Sequence, residues 1–150
     1  MAQIRHAHDF TIDQPVDVLF PLFSAEGEKL WVPGWDYEDV GESKELHEDY
    51  VFRTTSHDHG TASAVWIIKR YEPADHHVQM YKVEPDDKVG IITVQCLAVA
   101  EHRTCVEVTY EYIGLSDSGN AFIDGFTEAQ YHAFIGEWKD LLVRYFECSS

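Results

Sequence analysis

The run His57-Asp58-His59-Gly60 places two imidazoles and a carboxylate within three residues, and these are zinc-ligand types. A closed site needs a further H-x-x-x-H pair or a cysteine pair, and none follows. Asp58 and Gly60 are also what a tight strand connection uses, so HDHG is read as a turn and no metal is expected at His57, Asp58 and His59. His76-His77, after Glu72-Pro73-Ala74-Asp75, sits at another strand boundary and is read the same way. His132 falls off the aromatic stripe of the last helix and is placed in solvent.

Nucleophilic chemistry has no better footing. There is no G-x-S-x-G, and Cys96 and Cys105 lie in strand-like runs with no basic neighbour to favour a thiolate, so both read as packing thiols. GLSDSGN, residues 114–120, lacks the glycine spacing and the lysine of a phosphate-binding loop and reads as a strand-to-helix connection. AVWIIKRY, residues 64–71, is apolar in both registers, which leaves open whether Lys69 or Arg70 points inward. Sharing a face with Trp66 and Ile68, an inward Arg70 would be a buried cation able to hold a carboxylate or enolate oxygen through paired donors. An outward Arg70 would lie at the rim with its stem on the sheet. Tyr110 and Tyr112 are the other ionisable candidates for the interior, and a phenol with a pKa of about 10 is a poor base at neutral pH.

The aromatic residues carry more information. LWVPGWD, residues 30–36, holds Trp31 and Trp35 on either side of a Val-Pro-Gly turn, two of the four tryptophans in the chain. An indole is a large apolar body with one N–H that wants a partner, so the pair either plugs the core or flanks an opening.

These groups must be positioned by a chain of 150 residues, enough for one domain over residues 1–150 with a single core. Hydrophobic residues make up 45% and charged residues 25%, the balance of a globular protein. Eleven Lys and Arg stand against 27 Asp and Glu, a net charge of -16. Phosphate backbones and anionic lipid surfaces are attracted by Lys and Arg clusters, which this sequence never assembles, so nucleic acid is not an expected partner. Cys96, Cys105 and Cys148 are odd in number and widely spaced, which implies a reducing compartment. No apolar segment approaches the ~18 residues of a membrane span and the first residues do not read as a leader, so membrane insertion is not expected and a cytoplasmic location is.

Periodicity supplies the elements. His6 to Ile12 is a short strand, and Pro15 suits the first turn of a helix over Val16 to Phe23, capped by Asp13 or Gln14. Ala25 to Leu30 forms a second short helical piece before the Val-Pro-Gly turn. Six strands follow: Tyr37 to Gly41, Tyr50 to His57, Ala62 to Tyr71, His77 to Val83, Gly90 to Ala100 and Thr104 to Ile113. HDHG, EPAD, EPDDKVG and AEHR are short enough to join neighbours as hairpins, so the sheet is mostly antiparallel. TEAQ, residues 127–130, is a capping-box pattern followed by Tyr131, Phe134, Trp138, Leu141, Leu142 and Tyr145 at helical spacing. In the last strand Val106, Val108, Tyr110 and Tyr112 alternate with Glu107, Thr109 and Glu111, so the long helix should cover the first set.

This order resembles the helix-grip fold of the START-like and birch-pollen-allergen-like superfamily, SRPBCC: an α+β fold with a curved antiparallel sheet of six to seven strands wrapped around a long C-terminal helix, and two short helices after strand 1. PVDVLFPLF, LWVPGWD, VFRTT, VWIIKRYEP, VEVTYEYIGLSDSGNAFI and YHAFIGEWKDLLVRYF are similar to segments of a bacterial branch of the polyketide cyclase/dehydrase and lipid-transport group. The resemblance implies an internal cavity between the sheet and the C-terminal helix that binds a hydrophobic or aromatic small molecule or lipid, without a cofactor. It places Trp31 and Trp35 near the mouth. Candidate wall residues are Phe52, Trp66, Val94, Tyr110 and Tyr112 from the sheet and Phe134 and Trp138 from the helix, with Arg70 if it faces inward. A small cyclase, dehydratase or hydrolase using a buried polar pair in the same cavity is the alternative, and fold does not choose between the two. Monomer and homodimer are both compatible with this reading.

Overall fold

One seven-stranded sheet forms, with burial alternating residue by residue along much of its longer strands. The computed structural model describes residues 2–41, 46–55 and 63–149, so HDHG, read from the sequence as a turn without a metal, lies outside the described residues. The strands are β1 (Gln3–Ile12), β2 (Glu38–Val40), β3 (Val51–Thr55), β4 (Ser63–Glu72), β5 (His77–Glu84), β6 (Lys88–Ala100) and β7 (Arg103–Gly114). They lie in the order β1-β7-β6-β5-β4-β3-β2, and every adjacent pair is antiparallel. Val106, Val108, Tyr110 and Tyr112 of β7 are buried, as the alternation requires, and face the same side as Ile92, Val94 and Cys96 of β6.

Two short helical pieces follow β1: α1 (Val16–Leu19), continued by a 3-10 turn over Phe20–Leu22, and α2 (Ala25–Glu28). Pro15 itself occupies the N-cap of α1, with extended backbone and no side-chain cap, instead of the first helical position with Asp13 or Gln14 capping. Ser24 caps α2 by accepting from the Gly27 N–H. A Cβ at Gly27 would lie 2.3 Å from the Pro21 carbonyl oxygen, so only glycine lets α2 fold back this closely on the 3-10 turn.

A third helix, α3 (Asp117–Gly125), occupies part of the segment that reads in sequence as connection. Ser116 is its N-cap, accepting from the Gly119 N–H at 3.3 Å. The long α4 (Glu128–Ser149) begins where TEAQ predicts, with Thr127 Oγ1 accepting from the Gln130 N–H at 3.2 Å. Tyr131, Ile135 and Leu142 are its fully buried residues, each contributing roughly 1.5 to 3 kcal/mol of apolar burial. The Tyr131 hydroxyl donates to the Val108 carbonyl, tying the helix to β7. His132 is half-buried instead of solvent-exposed, because its ring stacks on His8 of β1 at 4.1 Å.

Candidate functional site

Trp31 and Trp35 are both buried, and their indole N–H groups explain how. Trp31 donates to the Leu22 carbonyl at 2.8 Å and Trp35 to the Ala25 carbonyl at 2.8 Å, so the Val-Pro-Gly turn is fastened to the two short helices. Gly34 turns the chain with φ of 74°, a region that glycine enters without strain. Trp31 then meets Phe23 and Trp138 edge to face, each at 5.7 Å. Trp35 reaches the sheet, 5.8 Å from Trp66. Trp66 lies parallel to Phe52 at 5.5 Å and donates its N–H to Thr54 Oγ1 at 2.9 Å.

Between the turn, the sheet and α4 this framework leaves a cleft of about 260 Å³. Val32, Pro33 and Trp35 wall it from the turn, Trp66 and Tyr110 from the sheet, and Phe134, Trp138 and Leu141 from α4. Glu28, from the end of α2, and Glu137, on α4, bring carboxylates to it. Beneath lies a void of only about 20 Å³, bordered by Met80, Ile92 and Val94, so the space deeper in is nearly filled by side chains. A larger concavity of about 830 Å³ opens on the other flank of α4, among Val99, Arg103, Lys139, Val143 and Phe146. It is a broad surface groove, and the tightly built aromatic cleft is the stronger candidate for a small molecule.

The residues proposed from sequence therefore divide. Trp35, Trp66, Tyr110, Phe134 and Trp138 are brought together around the cleft, and Val94 borders the void below it. Trp31 stands behind Trp138, Phe52 stands behind Trp66, and Tyr112 packs further along the sheet against Phe122 and Phe126. Arg70 is placed elsewhere. A register shift between Ile68 and Arg70 inserts Lys69 as an extra residue, so Arg70 pairs with Gln79 and leaves the face of Trp66 and Ile68. Its guanidinium is exposed and pairs with Glu72 at 3.1 Å.

The structure also turns inward a charged group that the sequence reading left out. Lys82, Glu84 and Lys88 are 2%, 1% and 1% exposed, on the same concave face as Met80 and Ile92. Lys88 Nζ lies 3.0 Å from Glu84 and 2.8 Å from Asp87, and 4.1 Å above the centre of the Phe122 ring. Lys82 Nζ is 4.0 Å from Glu84 and 5.2 Å above the ring of Trp66. Neither Glu84 oxygen accepts an aligned hydrogen bond among the described residues, so the carboxylate is held by Coulombic attraction in a dry setting. Among the described residues none of the three lines the cleft.

The thiols of β6 and β7 are held in their protonated form by burial. Burial pushes the Cys96 thiol up to about 12, and burial also raises Cys105, so neither is a ready thiolate. Burial, followed by a hydrogen bond to a carboxylate, raises the phenols of Tyr37 and Tyr50, which donate to Glu26 and Asp39. Among the described residues no three His, Cys, Asp or Glu side chains converge as metal ligands. No described helix is long and apolar enough to cross a membrane.

This architecture is shared by solved structures of distant sequence. The Zhui aromatase/cyclase from Streptomyces sp. R1128 is similar with a TM-score of 0.73 at 12% identity, over 99% of this chain and 97% of that one. Norcoclaurine synthase from Thalictrum flavum, in a point mutant bound to a transition-state analogue, has a TM-score of 0.70 at 10% identity, over 99% and 98%. Major latex-like protein 151 from Panax ginseng gives 0.69 at 17%, over 98% and 97%. No protein-family model and no curated protein sequence matches the chain. The chain has the helix-grip fold, with the curved antiparallel sheet, the short helices after β1 and the long C-terminal helix of the START-like and birch-pollen-allergen-like proteins. Known structures of the fold include cyclase-type enzymes and ligand-bound proteins. At these identities the likeness carries the fold and not a particular activity.

Proposed function

We propose that this protein binds a hydrophobic or aromatic small molecule in the cleft between the sheet and α4, under the Val-Pro-Gly turn. One observation carries the reading: the cleft is walled by three tryptophans, and the N–H groups of two of them, Trp35 and Trp66, are already engaged by protein oxygens. Those two rings offer a ligand apolar surface and no unmet donor. At about 260 Å³ the cleft is close to the lower end of small-molecule pockets, roughly 300 to 1,000 Å³, and suits a compact ring system or one end of a longer apolar molecule, including a lipid chain.

An enzymatic reading, with a buried polar pair moving protons for a cyclase, dehydratase or hydrolase reaction, has one supporting feature in Lys82 and Glu84. Catalysis would require that pair to reach the ligand, and Lys82 lies over the ring of Trp66 without lining the cleft. Binding is therefore the reading the geometry favours. The four indole N–H resonances provide its test by nuclear magnetic resonance. A saturating neutral polycyclic ligand should shift Trp35, Trp66 and Trp138 in a one-to-one titration. Four unmoved indole signals would contradict it.

A further inference from the structure

Resting on the cleft being a binding site, we infer that Met80 sets how deep a ligand reaches into it, and so how long an apolar molecule the protein prefers. The cleft and the void beneath it share the walls Trp66, Tyr110 and Trp138, so the two spaces adjoin along the same rings. Met80 borders the void and does not border the cleft. It stands on β5, the middle strand of the seven, paired with Ile68 of β4 and Ile92 of β6, and Ile92 in turn pairs with Tyr110 of β7. Met80 is therefore at the centre of the buried floor of the concave face.

The other apolar groups around the void are fixed in place. Ile92 and Val94 are β-branched and stiff at χ1. Trp66 is held by its bond to Thr54 and by the Phe52 ring, and Trp138 by Phe23 and Trp31. Among the described residues bordering the void, Met80 is the one apolar side chain that is long and unbranched. With its thioether in place only about 20 Å³ is open below, and an apolar chain entering the cleft stops there. Truncating Met80 joins the void to the cleft, because a shortened core side chain leaves part of its volume as a cavity and an apolar cavity takes up apolar groups.

Neutral 1-alkanols from butanol to decanol measure that depth, with the hydroxyl at the wet mouth and the chain inside. In calorimetric titration of the intact protein, wild-type affinity should rise about fourfold per methylene and then level off at one chain length. Met80→Ala should move the levelling-off to chains longer by about two or three methylenes. Met80→Val, which suits a strand and keeps more of the core filled, should move it by about one and serves where the alanine variant does not fold. Val106→Ala, a truncation in the core of β7 that borders neither space, should leave it where it is. A levelling-off that stays put in the folded Met80 variants, moves as far in Val106→Ala, or is missing from the wild-type series would overturn the inference while leaving the cleft a binding site. Failure of every alkanol to bind the wild type would remove the binding reading itself and this inference with it.

Discussion

The concave face of the sheet has two ends built on opposite principles. At one end Trp35, Trp66 and Trp138 surround open space, with Trp31 packed behind Trp138, and a 260 Å³ cleft remains between them. At the other Lys82, Glu84 and Lys88 are sealed beneath 2% exposure or less, with α3 and the β5–β6 turn packed beside them. Apolar surface around a gap can be reached by a ligand at little cost. A buried ion pair loses several kcal/mol per ion in desolvation, and tolerates neither the loss of one partner nor a poor fit around it. On the proposed binding reading the aromatic end is therefore the place where occupancy can change, and the charged end is the place where the fold is held.

Substitutions should separate the ends by size of effect. Glu84→Ala leaves two buried ammonium groups with less compensation, and should lower unfolding free energy by about 3 to 5 kcal/mol in urea titration. A loss below about 1 kcal/mol would show that the charged end is not a structural lock. Gly119→Ala acts on the same lock, since a Cβ there would lie 1.7 Å from the Asp87 carbonyl oxygen and push α3 off the β5–β6 turn. Its cost in the same titration should be about 1 to 3 kcal/mol. Val94→Trp, directed into the 20 Å³ void, should cost a similar amount by overpacking. Leu141→Trp, at the half-buried cleft rim, should change stability by less than about 0.5 kcal/mol because the added ring has space to enter.

A different readout, chemical reactivity, concerns the thiols. With its pKa pushed up to about 12, Cys96 should resist iodoacetamide at pH 8 in the folded protein, while exposed Cys148 reacts, as mass spectrometry of peptides would show. The unfolded thiol ionises near pH 8.5, so the unfolded chain binds fewer protons above that point and stability should fall as pH rises from about 8.5 towards 12.

The two ends also differ in how much of them a reader of the sequence can see. The sheet and α4 are legible because burial alternates with period two along β7 and with helical spacing from Tyr131 onward. The aromatic end is partly legible for the same reason, since Tyr110 lies on the β7 stripe and Trp138 on the α4 stripe. The charged end is not. EPDDKVG reads as a seven-residue loop, yet β5 runs to Glu84 and β6 starts at Lys88, a turn made possible by Asp86 at φ of 65°. The parity of Val78, Met80, Lys82 and Glu84 was available, but charge on two of the four argues for solvent unless a pairing across the turn is known. Arg70 fails through a bulge, which leaves no periodic mark in an all-apolar strand. α3 hides because Ser116-Asp117-Ser118-Gly119-Asn120 has the composition of a turn while Ser116 acts as a cap.

The central claim is that the open end between the Val-Pro-Gly turn and α4 takes up an apolar molecule. Its most direct measurement is the binding of N-phenyl-1-naphthylamine, read by probe fluorescence, to the wild type, to Leu141→Trp in the cleft and to Val143→Trp in the broad groove on the other flank of α4. Near one equivalent should bind to the wild type and to Val143→Trp, and binding should be lost in Leu141→Trp with the melting temperature kept. No binding to the wild type, or binding lost in Val143→Trp and kept in Leu141→Trp, would contradict the account.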